Sequence, residues 1–540
     1  MRKFLIVNAF VVLAAGAFAQ GAAPETTAIK PYVIDQEMIG KIRAEGLDRS
    51  KVMEIAFQLT DANGPRLTNS PGYNKAANWA VAEMKKWGLE NAALEPWGDF
   101  GVGWELKKSY VAMTAPYYKP MIAYPKTWTK GTGGLKQAEV LVIEAKDSAG
   151  LAAYAGKLKG KIVMFYKNDP YKQTFTADSK RYTDDELLKM SEAKAPPPAQ
   201  RPDTAQQRRM RENMARMQGP ASLISRLKEM AEKEGAVALL SNSPRGHDGT
   251  LFVQGPSTRN AYDPKTPEGI SDIMITLEDY QSLSRLAKAG IPVKLDVDVE
   301  TAFYKNDTKS YNVVAEIKGT DPKLKEELVM LGGHLDSWQS ATGATDNAAG
   351  CAVMLEVVRI LKTLGVKPKR TIRIALWSGE EQGLFGSRNY VKNHFADPAD
   401  MKLKADHSKF SAYYNIDNGT GKVRGIYLQG NEAVRGLFAD WLKPFNDLGA
   451  TTVTISNTGG TDHQAFDAVG LPGFQFIQEP MEYNTRTHHT NMDSYDHLSG
   501  DDLKQIATIV AAFVYNTAMM DEKIPRKALP EPRGAGGGMF

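Results

Sequence analysis

Cysteine is nearly absent: the chain has one, Cys351, in 540 residues. No intrachain disulfide can form, so the fold must rest on buried apolar cores. A chain this long needs more than one such core. Cys351 sits in an apolar run, Ala348 to Leu364, and reads as a core residue, because a catalytic thiol needs a polar, activating setting. A strong excess of one charge is also missing. Lys and Arg total 67 against 63 Asp and Glu, a formal +4. No basic stripe suggests nucleic acid. Long apolar runs are missing beyond the N-terminus, and none approaches the ~20 residues of a membrane span.

The N-terminus does carry an apolar run. Arg2 and Lys3 precede Phe4 to Ala15, and Ala17-Phe18-Ala19 is a small-x-small cleavage site. Residues 1–19 are therefore expected to be a signal peptide, with export to the periplasm or the extracellular space. Its removal subtracts two positive charges, taking +4 to +2.

Three textures follow. From Ile34 to about Tyr124 the chain reads as a helical lead-in, in which Ser70-Pro71 is a cap with proline at the first helical position. From Pro125 to Ala302 it reads as a separate small α/β module, with short strand runs at Val140–Ile143, Ile162–Phe165, Ala236–Leu240 and Val293–Val299. Within it, Thr174 to Met217 is a polar, basic excursion with Met210, Met214 and Met217 on one helical face. The excursion reads as a solvated helix with one packing stripe. Its functional readings are a lid or a subunit contact, the latter making a homodimer. From Ser310 onward, strand runs at Val313–Ile317, Leu328–Leu331, Thr371–Trp377, Ala412–Ile416 and Gly473–Ile477 alternate with helical runs. That pattern predicts an α/β sheet covered on both faces.

What this last region contains is a set of metal-binding side chains. His334 and Asp336 follow the strand run ending at Leu331. Glu380 and Glu381 follow Trp377, and Asp417 follows Ile416. Asp346 opens a helical run. His488 and His489 precede Asp493. Strand C-termini are where open α/β sheets bind ligands. Imidazole and carboxylate both suit zinc. The simplest allocation lets Asp346 bridge two Zn²⁺ ions. His334 and Asp417 complete one site, and His489 and Glu381 the other. Two cations about 4 Å apart can activate water and polarise a carbonyl at neutral pH. Glu380 is then left over as a general base. Asp336 and Asp493 are candidates to orient the two imidazoles. His463 is a candidate pocket residue. His247, His394, His407 and His497 read as surface or hydrogen-bonded residues.

These motifs, taken in order, resemble the M28 zinc peptidases. Twelve positions separate His334 from Asp346, and thirty-four separate Asp346 from Glu380. The resemblance covers Asp61 to Trp87 and about Ser310 to Met519. It implies the ligands His334, Asp346, Glu381, Asp417 and His489, with Glu380 as base. It also implies a mixed central sheet sandwiched by helices, the zinc exopeptidase, phosphorylase/hydrolase-like fold, with an inserted protease-associated-like domain. The expected partition is 31–124 and 303–524 for the peptidase domain, 125–302 for the insertion, and 525–540 for a flexible tail.

The expected activity is hydrolysis of short peptides from the amino end, since Glu380 and Asp417 suit a free ammonium. The competing directions are a carboxypeptidase Q-like enzyme or a dipeptidase, for which Arg486 or Arg424 would hold a carboxylate. Two further readings are a glutaminyl cyclase-like single-zinc enzyme and a non-catalytic peptidase-like receptor.

Overall fold

Tyr413 and Tyr414 are neighbours on one strand, so their side chains point to opposite faces of the sheet. Tyr413 stacks on Phe466 of helix His463–Asp467 with ring centres 4.3 Å apart. Tyr414 meets Phe513 of helix Gly500–Met519 at 6.0 Å. Helices therefore cover both faces, as the buried central strands demand. The computed structural model describes residues 32–168, 171–195, 223–258 and 260–533. The expected signal peptide, the stripe of Met210, Met214 and Met217, and the glycine-rich end lie outside the described residues.

The main sheet has eight strands. Their spatial order is Glu90–Asp99, Lys309–Ile317, Thr371–Trp377, Leu328–His334, Phe410–Asn415, Gly473–Gln478, Val423–Tyr427 and Thr452–Thr454. The four strands from Thr371–Trp377 to Gly473–Gln478 run parallel, with antiparallel neighbours on either side. Strand Leu328–His334 is buried at every residue. Helices Ala349–Thr363 and Gly500–Met519 are buried along most of their length and pack on each other. Helix Pro71–Lys86 starts where the Ser70 side chain accepts from Tyr73 N–H. Helix Arg435–Leu442 is flanked by 3₁₀ turns, the second carrying Pro444.

A second eight-stranded sheet lies in the other half of the chain. Its strands Lys136–Ile143, Ile162–Phe165, Ala238–Ser241 and Asp272–Ile275 run parallel. Gly103–Ala115 and Lys294–Tyr304 form its long antiparallel ribbon. The lead-in is thus helical only to Lys86. Glu90–Asp99 edges the main sheet, and the second sheet already begins at Gly103. Pro96 and Gly98 hid the first of these strands, since both residues weaken a strand signal and proline is tolerated at sheet edges. The tail expected from Pro525 is tied down as far as it is described. Arg526 donates to the carbonyls of His407 and Phe410, and Arg533 N–H to that of Pro398.

Candidate active site

Three adjacent parallel strands end at one rim, and each delivers a side chain. His334 is the last residue of its strand and lies opposite Trp377. Glu380 and Glu381 follow Trp377 across the Gly379 turn. Asp417 follows the third strand. Glycine brings Asp346 to this rim. A Cβ on Gly350 would stand 2.3 Å from the Ile416 carbonyl oxygen, so only glycine lets the helix after Asp346 approach that strand. The Asp346-Asn347 peptide is cis.

His334 Nε2 is 3.3 Å from Asp346 Oδ1 and 3.3 Å from Asp417 Oδ1. His489 Nε2 is 3.1 Å from Asp346 Oδ2 and 2.9 Å from Glu381 Oε2. Asp346 thus lies between two groups, one on each carboxylate oxygen. His334, Asp346 and Glu381 offer ligand atoms within 4.8 Å of one another, and so do Asp346, His488 and His489. His488 stands farther off: its Nε2 is 3.8 Å from Asp346, and its ring stacks on Tyr483. Glu380 Oε2 is 4.0 Å from His334 Nε2.

Among the described residues, the buried Glu381 Oε1 has no hydrogen-bond partner. An orphaned buried oxygen needs a partner, and a divalent cation fits it. The protonation pattern fits as well. Burial alone would lower the His334 pKa, but Asp417 and Glu380 outweigh it and hold it well above the usual range. His489 is likewise pushed up to about 11 against burial, chiefly by Glu381. Burial pushes Glu381 up to about 7, and the Asp346 charge adds to it. Burial also raises Glu380 well above the carboxylate range, reinforced by Asp417 and Asp462. Burial opposes ionisation of Asp346, yet hydrogen bonds from His334 and His489 hold its pKa well below the usual range. Without metal, protons fill the cluster.

The groups that orient the imidazoles differ from those expected. His334 Nδ1–H donates to the main-chain carbonyl of Asp336 at 2.9 Å, not to its carboxylate, which stays 3.8 Å away. The Asp336 carboxylate instead accepts from Thr68 Oγ1 and from the backbone N–H groups of Glu380 and Glu381. It fixes the turn that carries the base. His489 Nδ1–H donates to Gln254 Oε1 at 3.1 Å, a residue of the other half. Asp493, expected to do this, accepts from Thr345 and Asp346 N–H and so aims the bridging carboxylate. Both imidazoles therefore leave Nε2 facing the cluster.

His463 is buried but turned away, with Nε2 against the Thr458 carbonyl and the Gln429 amide. Its neighbour Asp462 is the residue that belongs here. It is fully buried, faces Ser387, and is pushed up to about 7 by burial, against the pull of His334. Arg486 is paired with Asp178 at 2.8 Å, and Arg424 with Glu479 at 2.5 Å. Neither arginine is available at the rim for a substrate carboxylate.

Arg66, missed in the sequence, backs the site. Its buried guanidinium donates to the carbonyls of Leu59, Leu335, Thr342 and Gly343. Trp338, also missed, meets the His489 ring edge-on at 6.2 Å. Gly64-Pro65-Arg66 just before the Ser70 cap was a turn signal, but nothing in it pointed to a site 269 residues away.

Residues 312–514 match the family model described as Peptidase family M28. The chain is 29% identical over 537 residues to carboxypeptidase Q of Mus musculus, covering 97% of this chain and 99% of that one. It shares its fold with the peptidase M28 precursor of Shewanella amazonensis SB2B, at TM-score 0.63 and 23% identity, over 92% of this chain and 99% of that one. BSAP, a zinc aminopeptidase from Bacillus subtilis, aligns at TM-score 0.52 and 19% identity, over 88% of this chain and 96% of that one. The segment that matches peptidase family M28, residues 312–514, holds every metal-facing side chain described above.

Proposed function

We propose that this protein is an exported metallo-exopeptidase that holds two zinc ions and removes the N-terminal residue of short peptides. The observation that carries it is the sharing of Asp346 between His334 and His489, one on each carboxylate oxygen, beside the unpartnered Glu381 Oε1. His334, Asp346 and Asp417 would hold one ion, and His489, Asp346 and Glu381 the other. His334 lies 3.3 Å from two of these carboxylates, which favours this set over a single-zinc cyclase in which it is no ligand. A complete set also argues against a non-catalytic receptor. Metal held there supplies Lewis acidity toward a peptide carbonyl and makes water acidic enough to react near neutral pH. Glu380, unused as a ligand, takes the proton from the attacking water and returns it to the leaving amine. Asp336 holds the Glu380 turn in place through two backbone N–H groups.

The direction of attack follows from charge. With cations bound and the protons displaced, Glu380 and Asp462 would carry negative charge at the rim, which suits a free α-ammonium. Arg486 and Arg424 are occupied by Asp178 and Glu479. A carboxypeptidase reading is favoured by one observation, the full-length similarity to carboxypeptidase Q. Elemental analysis of the purified protein should give two zinc equivalents. Cleavage of Leu-Ala, N-acetyl-Leu-Ala and Leu-Ala-amide then separates the directions. Aminopeptidase action requires that acetylation abolish turnover while amidation leaves kcat intact. Cleavage of the acetylated but not the amidated peptide overturns it in favour of a carboxypeptidase.

A further inference from the structure

His488 faces the metal-facing cluster, yet the ligand allocation leaves it without a task. It precedes His489, and neighbouring side chains on an extended chain point to opposite sides. Here they do not. His489 has a φ of 63°, a left-handed conformation uncommon for a residue with a Cβ. The two rings come together, with centres 3.8 Å apart. Both turn Nε2 toward one atom, Asp346 Oδ2, which is 3.1 Å from His489 and 3.8 Å from His488. Such a backbone persists only where its surroundings hold it. Val253 N–H donates to the His489 carbonyl, and His488 N–H donates to that of Tyr483. Tyr483 also stacks on the His488 ring at 4.6 Å and fixes its plane.

Each of the other seven histidines has a ring nitrogen in a hydrogen bond. Among the described residues no such bond claims His488, so its Nε2 is available to the cluster. The spacing is that of ligands round one ion. Two atoms bound to the same tetrahedral zinc stand roughly 3.3 Å apart. His489 Nε2 is a little closer than that to Glu381 Oε2, at 2.9 Å, and to Asp346 Oδ2, at 3.1 Å. His488 Nε2 is a little farther, at 3.8 Å.

We infer that His488 is a metal ligand, its Nε2 completing a set of four with His489, Glu381 and Asp346. The inference rests on the two-metal reading above and makes the two halves of the site unequal. Four protein ligands close a zinc site, as where the metal's task is structural. The set of His334, Asp417 and Asp346 keeps a position open. Glu380 stands on that side, 4.0 Å from His334 Nε2. Substrate therefore meets the His334 half, while the His488–His489 half fixes Asp346 and the turn after Tyr483. Imidazole suits zinc, copper and nickel, and carboxylate suits manganese. Metal in the His488–His489 half should thus be held firmly, and metal in the His334 half should exchange.

The test strips the full chain of metal and titrates it with Co²⁺, followed by calorimetry and visible absorbance. Wild type should take up two equivalents in separate steps, the tighter one giving the stronger absorbance of four-coordinate cobalt. His488→Phe keeps a ring against Tyr483 and removes the ligand. Loss of an outer hydrogen bond costs about 10–100-fold in metal affinity, so the tight step should weaken about 100-fold or more. The loose step should stay as it is. Two steps of wild-type strength in His488→Phe, or weakening confined to the loose step, overturns the inference. If His488→Phe does not fold, His488→Gly replaces it. Its tight step should be weak alone and restored by free imidazole, and a folded variant without that rescue overturns the inference. A wild type that binds one equivalent defeats the two-metal reading by itself. Weakening of that single step in His488→Phe would still make His488 a ligand, and an unchanged step would not.

Discussion

Glu380 sits against the cluster without a ligand's share of it, and that defines its test. Glu380→Gln keeps the shape and removes the proton acceptor. Turnover should fall roughly 10²–10⁴-fold while zinc content by elemental analysis stays at the wild-type level. Near-normal turnover, or loss of metal, would remove Glu380 from the role of base. His489 apart, the side chains of this cluster were legible because each follows a recognisable strand or opens a helix. Their supports were not. Asp336 and Asp493 were expected to orient His334 and His489 because they stand two and four residues away. The atoms that orient these rings are a main-chain carbonyl and Gln254, 235 residues distant. No side-chain spacing encodes a carbonyl, and none encodes a contact between separate modules. Asp462 was passed over for the adjacent histidine, since a sequence does not say which of two neighbours faces inward.

At the level of strands and helices, the buried runs announced themselves and the edges did not. Leu328–His334 is apolar up to His334, and Thr371–Trp377 is apolar apart from Thr371 and Arg373, as suits strands covered on both faces. Glu90–Asp99 is largely exposed, and Gly103–Ala115 is exposed in its middle, so their composition resembled loop. Inside the second sheet, strand Asp272–Ile275 starts on a buried charge. Burial opposes ionisation of Asp272, but Lys126 and Lys228 hold its pKa at about 2. A depressed carboxylate adds stability at pH values above its unfolded pKa, and that stability is lost as pH falls through the folded value. The contribution is on the order of 2 kcal/mol and should disappear between about pH 4 and about pH 2. Asp272→Asn should therefore be less stable than wild type at pH 6. The gap, read from denaturant midpoints, should narrow as pH drops across that window. A gap that stays constant from pH 6 to pH 2 would mean the charge contributes nothing.

For the molecule as a whole, the two sheets meet around the site. Beyond Gln254, the chain from Asp178 to Tyr182 runs along the catalytic half. Lys180 N–H donates to the Met481 carbonyl, Arg181 pairs with Asp502, and Tyr182 N–H donates to Glu479. Gln254→Ala should weaken one zinc by about 10–100-fold, as loss of an outer hydrogen bond to a ligating histidine does elsewhere. Competition with a chelator measures this, and wild-type affinity in the variant would show that His489 needs no such restraint. Several strands of the second sheet were readable from their apolar runs, but the Gln254 contact with His489 was not, because it is one glutamine in a loop. The Gln254–His489 bond also bears on heredity. A crossover between relatives anywhere from residue 254 to residue 489 would inherit the ligand from one parent and its alignment partner from the other. Chimaeras joined inside that interval should lose metal more often than those joined after residue 493.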